Sequence, residues 1–282
     1  MKNFTYVLEN FFTNKDFLVA AEQIPGTLFT PLHWAFEVVV LTIVLSSVIY
    51  VSKRKELIKP VFTAIWVVRV IWEFVIIYWE SATGRVPGLD LQTNLSLYPC
   101  SIFLYTMPFI IWGQGLPKKI ACGYMSTLGM MGALINFVYP VSRLSNYSCI
   151  SFPGFHTFFF HGSMLFVFLV LMKTKIHTYK AETILDLFTP CIASVLVSIP
   201  ANIVNYSPIH ADYMYFTGQF PLVHMVFGDT PAHIVTFILY MLYIFVPALF
   251  YLPSYLKNRK KQENYSIENV VDTDDYEMSH AI

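Results

Sequence analysis

LHWAFEVVVLTIVLSSVIYVS, residues 32–52, followed at once by Lys53-Arg54-Lys55, decides the fold. Apart from His33 and Glu37 near its start, the run carries no charge. It is long enough to cross a hydrocarbon core about 30 Å thick. In lipid such a run must be helical, because only a helix pairs every backbone N–H and C=O within one segment. The pattern recurs along the chain. Of 282 residues, 56% are hydrophobic and 13% charged, with a mean hydropathy of +0.55. A soluble domain would carry about a quarter charged residues.

Seven spans follow, at roughly 32–52, 60–79, 94–112, 119–139, 155–172, 183–204 and 231–252. The expectation is an all-α, polytopic membrane helix bundle. The segment 213–227 is apolar but holds Gly218 and Pro221, which suits a re-entrant or interfacial piece better than an eighth crossing. Of 18 basic residues, 13 fall in the loops after spans one, three and five or in the C-terminal tail, and four on the other side. Arg69 lies inside span two. The positive-inside rule then predicts the N-terminus outside and the C-terminus cytoplasmic. Residues 1–30 form an extracytoplasmic segment with a short amphipathic helix, 31–254 the seven-helix domain, and 255–282 a cytoplasmic tail. That tail turns acidic after Lys261, which predicts disorder. No soluble domain, internal repeat or nucleic-acid motif is present.

Placing side chains by depth singles out two residues. Cys100, in LSLYPCSI, and His161, in FHTFFFHG, each fall roughly 9 Å below the outer boundary at about 1.5 Å of rise per residue. A thiol and an imidazole at one depth can form a nucleophile–base pair. Around them lie Glu73, His33, Glu37, Tyr98, His156, Asn205 and Asp212, all in the outer half or the outer loops. Ionisable groups within spans are costly and usually face a cavity or a partner. Arg69 and Glu73, at i and i+4, form an ion pair on one helical face. Pro99 is expected to kink the third helix beside Cys100. Cys122, Ser126, Gly129 and Ala133 form a small face for close helix approach. Cys149, in an outer loop, is a conceivable disulfide partner for Cys100.

The Pro99-Cys100 pair, the run from Phe155 to Gly162 ending in His-Gly, and Asn205 with Asp212-Tyr213-Met214-Tyr215 carry a resemblance. Over roughly 30–250 the chain resembles the YwaF-type membrane proteins, which are related to the transmembrane protein 164 family. The eukaryotic relatives are regarded as cysteine-dependent acyltransferases acting on phospholipids. The resemblance implies Cys100 as the acyl-accepting nucleophile and His161 as its base, with membrane phospholipids as partners, no cofactor, no metal and a place in the cell membrane. Tyr98 stands where bacterial members carry a histidine.

Other readings remain open. One is a transporter or channel with a polar outer cavity. Another is a zinc-dependent lipid amidase using the outer histidines, although no HExxH pattern occurs. A receptor-like protein is a third. The oligomeric state is not legible.

Overall fold

The computed structural model describes residues 4–14, 24–83, 91, 94–140 and 144–279. Arg85, Arg143, Lys2 and Lys15, which enter the charge count above, lie outside the described residues. The described residues are all-helical, without strands. The order is α1 (Phe4–Glu9), α2 (Pro31–Ser52), α3 (Lys55–Ala82), α4 (Ile102–Ile111), α5 (Gly115–Tyr124), α6 (Met130–Val138), α7 (Phe152–Lys173), α8 (Ile184–Phe188), α9 (Ile192–Asn205), α10 (Pro221–Phe227) and α11 (Ala232–Ser279). A π-turn, Met125–Gly129, joins α5 to α6, and a 3₁₀ turn, Thr189–Cys191, joins α8 to α9. Six continuous helices are long and apolar enough to cross a membrane: Pro31–Ser52, Lys55–Ala82, Gly115–Val138, Phe152–Lys173, Ile184–Asn205 and Ala232–Gln262. This is a multi-pass membrane protein.

The third expected span is corrected. Only Ile102–Ile111 is helical, and residues 94–101 enter it as turns and irregular backbone. Pro99 therefore does not kink a helix. It lies in the turn that precedes one, because a proline biases the residue before it toward extended backbone. Cys100 sits in that turn, so a depth reckoned at helical rise does not apply to it. The segment 213–227 also stays short, as a 3₁₀ turn at Tyr213–Tyr215 and the seven-residue α10.

The centre of the bundle is α7. Its aromatic run serves every neighbour. Phe155 and Phe159 stack on Trp72 of α3, with ring centroids 6.0 and 5.1 Å apart. Phe158 meets Phe36 of α2 and Phe137 of α6 at 5.2 and 5.9 Å. Phe160 meets Phe103 of α4 at 6.1 Å. A helix apolar on all sides is a buried one. The N-terminal segment also packs on the bundle: the Trp79 indole N–H donates to the Phe12 carbonyl at 2.7 Å. Cys122, Ser126, Gly129 and Ala133 are all buried. Close helix approach falls beside them, at Gly123, where an added Cβ would lie 3.0 Å from Pro190 Cα.

Candidate functional site

Cys100 owes its position to a broken helix. Irregular backbone inside a membrane bundle needs partners for its polar groups, and tyrosines supply several here. Leu95 N–H donates to the Tyr213 hydroxyl at 2.9 Å, and that hydroxyl donates to the Leu91 carbonyl at 2.9 Å. The fully buried Tyr124 donates to the Pro99 carbonyl. Tyr213 is itself clamped by Asn205, which accepts from its N–H at 2.7 Å and donates to its carbonyl at 2.8 Å. Next to it, Met214 and Tyr215 both take left-handed backbone, at φ 57° and 61°. Two consecutive non-glycine residues in that region store strain, which persists only when the surroundings enforce it. Asp212 is one such enforcer. Its carboxylate accepts from Thr217 N–H, Thr217 hydroxyl and Phe220 N–H at 2.7–2.8 Å. Burial raises its pKa above the ordinary carboxylate value, while those donors pull it down. Asn205 and Asp212 thus shape the loop that carries Tyr213 and Tyr215, and the Tyr215 ring lies 5.7 Å from that of Tyr98.

The thiol faces Gly132 of α6, where an added Cβ would stand 3.1 Å from Cys100 Sγ. Opposite runs α3. Ser96 donates to Glu73 at 3.1 Å, and the Trp66 indole donates to the Leu104 carbonyl at 3.0 Å. These two contacts bracket Cys100 on one chain segment and Arg69 on the other. Cys100 and Arg69 are therefore level, midway along α3. That is deeper in the bundle than the sequence implied.

His161 projects from α7 at the same level, to within about one helical turn. On α7, Phe160 points to Phe103 and Arg69, and Phe158 points to Phe137. At about 100° per residue, His161 falls in the sector between them, between α6 and α4, the helix into which the Cys100 turn leads. Its Nδ1 lies 2.9 Å from the Thr157 carbonyl. A carbonyl only accepts, so Nδ1 carries the hydrogen and the neutral ring leaves Nε2 as the base. No hydrogen bond joins Cys100 Sγ to His161 among the described residues.

The remaining expected residues divide into two groups. Arg69 Nη2 donates to Glu73 Oε2 at 3.3 Å, and His156 Nε2 lies 3.9 Å from that same oxygen. Glu73, Ser96 and His156 thus form one polar cluster beside Cys100. His33 and Glu37 stand apart on α2, across α7. His33 Nδ1 accepts from Phe29 N–H at 3.1 Å, and its Nε2 faces Glu37 Oε2 at 3.7 Å. All four cysteines are free, and buried Cys149 directs its sulfur to the Leu32 carbonyl at 3.8 Å rather than to Cys100. Among the described residues, no group of three His, Cys, Asp or Glu side chains gathers where a metal could bind. Sequence reasoning missed Gly132, Ser96 and Tyr124, and named Tyr213 and Tyr215 only as part of the family resemblance. Their roles come from long-range contacts that no local pattern records.

A separate cavity of about 530 Å³ opens at the lysine-rich end, lined by Lys118, Lys119, His177, Lys180, Asp186 and Tyr251 among others. His177 shares a 2.7 Å hydrogen bond with the Tyr251 hydroxyl. Burial, with the Lys119 charge second, lowers its pKa to about 4.

Comparison with curated proteins and with solved structures returns no match. The profile of the TMEM164 family matches residues 28–262, which takes in every transmembrane helix, the Cys100 turn and His161. The chain belongs to the TMEM164 family.

Proposed function

We propose that this protein is a cysteine-dependent acyltransferase that moves fatty acyl chains between membrane phospholipids, with Cys100 as nucleophile and His161 as base. The observations that support the proposal are a free thiol held in a non-helical turn within the bundle and an imidazole on α7 whose Nε2 is left to accept a proton. Catalytic hydrogen bonds are often long or unmade before substrate binds, so the unjoined pair is compatible with the role.

The chemistry balances without a further reactant. Cys100 Sγ gives its proton to His161 Nε2 and attacks the ester carbonyl carbon. The tetrahedral intermediate collapses, the ester C–O bond breaks, and the departing alkoxide takes the proton from Nε2. A lysophospholipid leaves and the acyl group remains as a thioester. The hydroxyl of a second lysophospholipid then gives its proton to Nε2, its oxygen attacks the thioester, and the C–S bond breaks. The thiolate recovers the proton. Tyr98 and His156 line the approach in this account, and the family resemblance supports the reaction class. The Glu73 side chain is 22% exposed, and Tyr105 of α4, which hydrogen-bonds Ser96 of the cluster, is 46% exposed, so the polar cluster reaches the surface between α3 and α4. An ester group can follow its chain inward there. We place the reaction in the cell membrane, at the leaflet next to the lysine-poor end.

The test is acyl transfer between defined phospholipids in proteoliposomes. Cys100→Ser should abolish transfer while leaving the thermal unfolding of the purified protein unchanged, and equal transfer by that variant would end the proposal. A transport function is the second reading, favoured by the position of charged Arg69 midway along α3. Solute uptake that needs Arg69 or Glu73 and survives loss of Cys100 would establish it instead.

A further inference from the structure

Arg69 is fully buried, yet it uses little of its hydrogen-bonding capacity. Only Nη2 has a partner, Glu73 at 3.3 Å, while Nε and Nη1 have none among the described residues. The guanidinium carbon lies 3.8 Å from the Phe160 ring centroid, which fixes the plane of the group. Glu73 is a divided counter-ion, since Ser96 and His156 also address its carboxylate. A buried arginine with unmade N–H bonds is costly, and native proteins keep such a group where a ligand atom completes it.

We propose that Arg69 is the oxyanion donor of this site: an unpartnered N–H of its guanidinium, Nε–H or Nη1–H, receives the acyl carbonyl oxygen as Cys100 attacks the carbon. The inference rests on the acyl-transfer reading. Three observations converge on it. Arg69 is level with Cys100, bracketed by the Ser96–Glu73 and Leu104–Trp66 contacts. The guanidinium stacks on Phe160, the residue before His161, so the arginine meets α7 next to the base. One helical turn from Gly132, on the face of α6 that meets the thiol, buried Asn136 also holds an unpartnered amide nitrogen, Nδ2. Both groups are donors, and both are unspent. The ligand they await is an acceptor, and midway along α3 an acyl carbonyl following its chain inward is such an acceptor, whereas a phosphate would have to leave the interface altogether. In the step, the carbonyl π electrons move onto oxygen as the S–C bond forms, and Arg69 stabilises that negative charge without gaining or losing a proton. Preorganised donors of this kind act where charge develops and need no reorganisation during the reaction.

The experiment uses the full chain in proteoliposomes, with a p-nitrophenyl fatty acyl ester as acyl donor and a maleimide as a probe of the thiol. Replacing Arg69 alone would strand Glu73, so Arg69→Gln is made in a Glu73→Gln background and compared with that background. Acylation of Cys100 should slow by about 100-fold, the usual effect of losing one oxyanion donor, with maleimide alkylation changed by less than about threefold. A merely structural role would move both rates together, and that result would overturn the proposal. So would unchanged acylation. If the double variant does not fold, Arg69→Lys keeps the charge and loses the fork. Acylation should then fall by at least about tenfold at an unchanged alkylation rate, and a lysine variant as fast as the native protein would refute the assignment. If native Cys100 is never acylated, the acyl-transfer reading itself fails, and this inference with it.

Discussion

Gly132→Ala probes the space around the thiol with a single methyl group. Gly132 lies inside α6, where alanine is favoured over glycine by about 1 kcal/mol. The new Cβ would stand 3.1 Å from Cys100 Sγ, closer than the 3.4–4 Å of ordinary contact. The thiol must therefore retreat by roughly half an ångström, or the π-turn Met125–Gly129 must absorb the shift. A 1 Å misplacement at a reacting centre costs about 10²-fold, so half of that corresponds to about tenfold in acyl transfer. The propensity gain and the crowding oppose each other, and the unfolding temperature should move by only a few degrees. The assay combines acyl transfer in proteoliposomes with maleimide labelling of a chain in which Cys122, Cys149 and Cys191 are replaced. Native rates for both transfer and labelling would show that the thiol is not packed on Gly132, and the site as described would be wrong.

His177 should remain neutral at pH 6, because burial and Lys119 hold its pKa near 4. The unfolded chain would then take up its proton more readily. Stability contributed at this residue is full above about pH 6.5 and declines as pH falls toward 4. An imidazole NMR titration near 6.5 would contradict that. Gly26 has φ +85°, and an added Cβ would lie 2.4 Å from Ser148 Oγ and 2.9 Å from Cys149 Sγ. Gly26→Ala should therefore cost roughly 2–3 kcal/mol, from left-handed strain and crowding together. Thermal unfolding in detergent measures it, and an unchanged midpoint would refute the tight fit.

Hydropathy made most of the membrane architecture legible. Helices must satisfy their backbone internally in lipid, so length and polarity suffice to find them. The third pass was the exception. Its composition is as apolar as the others, but the chain around Pro99 is not helical, although Pro108 sits inside the helix that follows, and the backbone polar groups left open there are met by Tyr124 and Tyr213, which lie 25 and 114 residues further along the chain. No window around residue 100 contains that information. Arg69 with Glu73 was readable because i and i+4 residues share a helical face. The level match of Arg69 with Cys100 was not, because it depends on how α3 and the 94–104 segment pass each other. His33 and Glu37 looked like members of the same outer cluster by depth alone, but depth does not tell which side of α7 a residue occupies. Asn205 and Asp212 carry the family resemblance, and their hydrogen bonds give a physical reason: they build the strained loop beside Tyr98 and the Cys100 turn.

The most direct test of the central claim is intact-protein mass spectrometry after brief incubation with a phospholipid of single acyl composition. The account predicts one acyl adduct on Cys100, released by neutral hydroxylamine as a thioester is. The adduct should be absent in Cys100→Ser, and its formation should be slowed by about 10²–10⁴-fold when His161→Ala removes the base. Acyl transfer that proceeds with no adduct on Cys100, or at the same rate without His161, would contradict it.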